Sequence, residues 1–168
     1  HSIYIIQDKG ECKEILTLQN AGDGDGSITL VELNGGHVLD ELATDTEVQT
    51  SAAFGTLIIQ PSSGLSKSGL HKQLANDLNG SKLPFGNLYT SDSRPPQSPF
   101  YKTYKVEEVS SGFKFKNKDV SAAVEAIGTP FTTASFRSKH KIKEGDQSKI
   151  FVLQLGKTKH IVSTLKME

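Results

Sequence analysis

The densest group of cationic side chains sets the first chemical expectation. Arg137, Lys139, Lys141 and Lys143 alternate along the chain, with His140 among them. Alternate residues of an extended strand share one face, so this spacing predicts a basic row of the kind that follows a phosphate backbone. Lys114 and Lys116, upstream, extend the same candidate surface for an acidic partner or nucleic acid. The competing reading is a solvated edge strand whose lysines discourage aggregation. A second candidate lies at 56–78, where an apolar run ending at Gln60-Pro61 meets Ser62, Ser63 and Gly64 and then an amphipathic stretch. Small residues at a strand–loop–helix junction can let backbone N–H groups approach an anion. Lys67 and His71 would add positive charge, which makes Ser62, Ser63, Gly64, Lys67 and His71 a candidate phosphate site. The order matches neither a Walker loop nor GxGxxG nor GxSxG, and an ordinary capped helix explains the same residues.

Two stretches carry motif-like spacing. Residues 21–32, with Asp23, Asp25, Gly26 and Glu32, are spaced in a way similar to an EF-hand calcium loop, and that likeness implies a weak metal set of Asp23, Asp25 and Glu32. Ala21 stands where the first oxygen ligand belongs, so a glycine-rich hairpin turn is the preferred reading. Gly112-Phe113-Lys114-Phe115 faintly resembles the central strand of an RNA-recognition motif, which would put Phe113 and Phe115 on one stacking face. Core packing is the simpler role for both rings. No cofactor follows from the residues. The five histidines have no metal spacing, and Cys12 sits between Glu11 and Glu14, which disfavours a thiolate. No catalytic residues are assigned.

The elements that must position these groups are mostly strands. Apolar runs predict strands at 2–7, 27–33, 54–60, 100–109, 113–116, 131–136, 149–155 and 160–165, with 14–19 either strand or helix. The 27–33 segment carries apolar residues at both parities, which suits burial on much of both faces. Leu70, Leu74 and Leu78 predict a helix over 66–78, and Val120–Ile127 predicts a second. Residues 79–99, rich in Pro and Ser, read as a long surface loop. The expected fold class is α+β and β-rich: a mainly antiparallel sheet or partly closed barrel of about eight strands with two helices, in a single domain over 1–168.

Net charge is zero over 168 residues, with 19 Lys/Arg against 19 Asp/Glu. The sum hides a split: positions 1–99 hold 6 basic and 12 acidic residues, a balance of −6, which leaves 13 and 7, or +6, for 100–168. A single cysteine precludes an internal disulfide and tilts the expected location to cytoplasm or nucleus. No run reaches the length of a membrane helix. Together these point to a non-catalytic binding or assembly module whose basic C-terminal third contacts an acidic partner, with nucleic acid, an acidic protein or a second copy as partners and no membrane. The alternative is a small phosphate-ligand protein or enzyme using 56–78.

Overall fold

Gln7 and Glu32 end two apolar strands side by side, and that pair marks the centre of the N-terminal sheet. The computed structural model describes residues 2–18, 26–42, 47–115 and 119–167. Strands β1 (Ser2–Asp8), β2 (Glu11–Leu18), β3 (Ser27–Glu32) and β4 (His37–Leu42) form a sheet in the order β2-β1-β3-β4. The inner pair β1 and β3 is parallel, with Ile5 opposite Leu30 and Gln7 opposite Glu32, while β2 and β4 flank it antiparallel. Lys9 and Gly10 both adopt positive φ (51° and 80°), the backbone a tight β1–β2 hairpin requires.

The larger sheet takes the order β6-β7-β5-β8-β11-β10-β9, from β5 (Leu57–Pro61), β6 (Ser81–Lys82), β7 (Tyr89–Ser91), β8 (Tyr101–Ser111), β9 (Ala123–Ile127), β10 (Ser148–Leu155) and β11 (Thr158–Lys166). Every neighbour pair is antiparallel except β9 with β10. Strand β10 is buried on both faces. Phe151 and Leu153 join Ile58, Leu83, Phe85, Leu88 and Tyr104 on one side, while Ile150 and Val152 join Val124, Phe136, Ile142 and Ile161 on the other. Helix α1 (Ser63–Ser68) lies against the small sheet, with Leu65 packed on Ile5 and Leu30. Helix α2 (His71–Asp77) lays Ala75 on Ile59, Tyr89 and Tyr101. Helix α3 (Thr133–His140) buries Phe136 completely.

The fold is thus α+β and mainly sheet, as expected, and the described residues form two sheets, of four and seven strands, with no closed barrel among them. Five local expectations change. The strand expected at 113–116 is not one over its described part, Phe113 to Phe115, whose two rings pack on the α3 core instead of pairing in a sheet. The single helix at 66–78 is two, because Gly69 takes a left-handed conformation (φ 80°) and ends α1. The helix expected at 120–127 is strand β9, since pairing of Ala123–Ile127 with Lys149–Leu153 outweighs the helix preference of its alanines. The strand expected at 131–136 is the start of α3. There Thr132 caps the helix: its side chain accepts from the Ser135 N–H at 3.1 Å, and its own N–H donates to Ser135 Oγ at 3.0 Å. Finally, 79–99 holds β6 and β7 and buries Leu83, Phe85, Leu88 and Tyr89, so much of it is core.

Candidate functional site in the cleft between the sheets

The two sheets are joined where β5 runs into α1. Ser62 caps α1, accepting from the Leu65 N–H at 3.1 Å, and its hydroxyl donates to Gln7 Oε1 at 2.7 Å. Ser63 donates to the Gly10 carbonyl at 2.9 Å and accepts from the Cys12 N–H at 2.6 Å. Two adjacent serines at the end of one sheet therefore clamp the first hairpin of the other. Gly64 is needed there, because a Cβ would run into the Gln7 side chain.

Behind this clamp lies Glu32, only 2% exposed. Its carboxylate accepts from Gln7 Nε2 at 3.0 Å and from the backbone N–H groups of Lys9, Gly10 and Asn34 at 3.0, 3.2 and 3.0 Å. Burial alone would raise its pKa. The N–H donors of Asn34, Gly10, Lys9 and Gln7 together outweigh that and hold it below the usual carboxylate value.

On the opposite wall the larger sheet curls. Strands β5 and β9 stand four places apart, about 19 Å across a flat sheet at about 4.8 Å per strand. Yet Gln60 on β5 donates to both oxygens of Glu125 on β9, at 3.0 and 2.8 Å. Lys149 on β10 donates to Gln60 Oε1 at 2.6 Å and pairs with Glu125 at 2.5 Å. Its ammonium also lies 5.3 Å from the Tyr104 ring centre and 4.9 Å from that of Phe151. Burial, and secondarily Glu125, push the Tyr104 hydroxyl up to about 12, so it stays protonated.

Between these walls lies a cleft of about 560 Å³ lined by Lys9, Glu32, Gln60, Ser62, Ser63, Lys102 and Lys149 among others. A second hollow of about 560 Å³ adjoins it, with Asn34, Pro99, Tyr101 and Lys102 common to both and with His37, Arg94 and Lys166 farther along. The Pro95–Pro99 stretch forms its wall, and the Tyr101 hydroxyl donates to the Pro96 carbonyl to hold it. The whole is a groove with hydroxyl, amide and ammonium groups on its surface and a fixed carboxylate beneath.

The sequence-derived candidates distribute unevenly. Of the phosphate set, Ser62 and Ser63 line the cleft, Lys67 is exposed on α1, and His71 is buried against Tyr89, its Nδ1 2.5 Å from the hydroxyl. Burial, then Lys82 and Lys72, push His71 below its ordinary pKa, while burial pushes Tyr89 up to about 12. The neutral imidazole therefore accepts the Tyr89 proton donor. Of the weak metal set, Glu32 is the buried acceptor just described; Asp23 and Asp25 lie outside the described residues. The basic residues do not share a strand face. Arg137 and Lys139 are on α3, Lys141 follows it at positive φ (55°), and Lys143 pairs with Ser121 in an isolated bridge. Arg137 is 3.6 Å from Glu144, and Lys139 sits 5.2 Å over Phe131. Lys114 is exposed beyond β8, and Lys116 is outside the described residues. Phe113 and Phe115 pack on the α3 core. The groups that sequence reasoning missed are Gln7, Gln60, Glu125 and Lys149. Gln7, Gln60 and Lys149 each flank an apolar run, and Glu125 sits within one; no stronger signal marks them.

No family model and no curated protein matches the chain. Among solved structures, a protein from Porphyromonas gingivalis W83 described as a "putative methyltransferase" is similar, with a TM-score of 0.78 and 19% identity over 99% of this chain. This chain spans 46% of that protein's length. At this identity the likeness is one of fold. It corrects the expectation of a non-catalytic module resting on a basic C-terminal third: nearly the whole chain has the fold of part of an enzyme-named protein, and the basic row that carried the expectation is not a row. Among the described residues, no helix is long and apolar enough to cross a membrane.

Proposed function

We propose that this chain is the acceptor-holding part of a methyltransferase-type enzyme, with the inter-sheet cleft as the surface that receives the acceptor. The observation that carries this reading is the fold likeness across 99% of the chain to part of a protein bearing that name. The cleft adds support. Its walls are fixed by buried and part-buried hydrogen bonds from both sheets, a preorganised arrangement of the kind that substrate positioning needs. Lys9, Lys102 and Lys166 are exposed along it. They suit an acceptor bearing negative charge, a nucleic acid or an acidic protein segment. With a single cysteine, we place the enzyme in the cytoplasm or nucleus.

The test is transfer of a labelled methyl group by the polypeptide encoded by the complete reading frame. RNA, DNA and protein are offered as acceptors. Transfer to one of these classes is expected. No transfer to any of them, from a folded preparation, would sink the reading.

A further inference from the structure

The four-stranded sheet has one face packed by α1 at its centre and one bare face, and the bare one is rich in apolar residues. Ile5, Gln7, Leu30 and Glu32 point to the α1 side and are buried. By alternation, Tyr4, Ile6, Thr29 and Val31 point the other way. Register then extends that face across all four strands. Tyr4 stands opposite Leu16 and Thr29, Ile6 opposite Val31, and Val31 opposite Val38. Leu16 and Leu18 are 42% and 52% exposed, Leu33 58% and Val38 59%. A sheet with one solvated face places polar residues there. Polar residues interrupt this one, since Ile6 also stands opposite Glu14 and Ser2 stands between Leu18 and Ser27, but most of this face is Leu, Ile, Val and Tyr, the composition of a face that meets another layer. The outer edge points the same way. Strand β2 is last in the sheet and exposed from Lys13 to Leu18, and a bare apolar edge is a place where another element adds on.

We propose that this face and edge seat a methyltransferase-type catalytic domain carried in the same polypeptide, an inference that rests on the enzyme reading above. The occupant is argued from length and layering. The fold of this chain accounts for 46% of the Porphyromonas gingivalis protein, so more than half of that polypeptide is something else. Among the described residues, only α1 supplies cover to this sheet, on the face of Ile5 and Leu30. The cleft opens between this sheet and the larger one, so a domain seated on the far face of the small sheet would lie beside the acceptor groove without filling it.

Amide hydrogen exchange tests this on the 168-residue chain alone and on the polypeptide from the complete reading frame. The expected result is that residues 11–18 and 37–39 exchange at least about tenfold more slowly in the complete polypeptide. The double variant Leu16→Lys with Val38→Lys should abolish that difference, while the 168-residue variant melts within about 3 °C of the parent because both positions are exposed. Equal exchange in the two forms, or a reading frame that adds no domain, overturns the proposal. So does a 168-residue chain that is a dimer by sedimentation and becomes a monomer on the double substitution, since a second copy then owns the face. Methyl transfer is read separately. Transfer with an unprotected face removes this proposal and leaves the enzyme reading intact. A protected face with no transfer to any acceptor removes the enzyme reading, and the proposed occupant with it.

Discussion

Glu32 shows how a polar residue at the end of an apolar strand organises a junction. Four N–H groups converge on one buried carboxylate, and three of them belong to the two turns that leave β1 and β3. Glu32→Ala would strand those donors away from water and is expected to lower unfolding free energy by about 3 kcal/mol in urea titration. Glu32→Gln keeps the shape and should cost less. The pH dependence follows from signs. Glu32 has a folded pKa below its ordinary value, so its contribution is present above the normal carboxylate range and is lost as pH falls through the folded value. His71 and His140 are also depressed, His71 by burial, Lys82 and Lys72, and His140 by burial and Lys139. Their neutral forms are the folded forms, so stability is full above about 6.5, the normal histidine value, and declines as pH drops below it toward the folded pKa values. His71→Asn, whose Oδ1 can accept from the Tyr89 hydroxyl near the position of Nδ1, is expected to flatten part of that first decline and leave the His140 share. Equilibrium unfolding at a series of pH values would show whether the two acid steps separate in this way.

At the scale of elements, sheet-forming runs were readable and context-dependent ones were not. Strands β1, β3, β10 and β11 follow from apolar runs bounded by Gly and Asp, and the β10–β11 hairpin turns at Gly156 as its sequence suggests. The Val120–Ile127 segment misled because Ala and Glu favour helices locally, whereas the decisive partner, β10, lies some 25 residues away in sequence. The α3 cap at Thr132 was legible in principle, but Phe131 and Phe136 drew attention to a strand. Gly69 offers a sharp check. In one continuous helix an exposed glycine replaced by alanine stabilises by about 1 kcal/mol. In the observed structure Gly69 has φ 80°, where a Cβ is strained although nothing lies within 4 Å. Gly69→Ala is therefore expected to destabilise by about 1 kcal/mol in thermal or urea unfolding. A gain of stability would mean that α1 and α2 run together.

At the scale of the whole molecule, the charge split read from the sequence is not bridged by the ion pairs found among the described residues. The ion pairs Lys13–Glu11, Lys105–Glu107, Arg137–Glu144 and Lys149–Glu125 each join residues of the same half. The cleft draws on both halves, with Lys9, Glu32 and Ser62 from the front and Lys102 and Lys149 from the back. Its location was not legible because it depends on the curl that brings Gln60 to Glu125 and on the serine clamp between sheets. Both are long-range facts, and the only local trace of each is a single polar residue. Ser62 and Ser63 stand where the sequence suggests an anion site, but their hydroxyls are occupied by Gln7, Gly10 and Cys12. The most direct measurement of the central claim is steady-state methyl transfer by the complete polypeptide, comparing the parent with Lys102→Glu, Lys166→Glu. The expected result is a KM for the acceptor raised at least about tenfold, with kcat and the KM for the methyl donor unchanged within about twofold. An acceptor KM equal to the parent's, in a variant that folds and turns over normally, would contradict the claim that this cleft holds the acceptor.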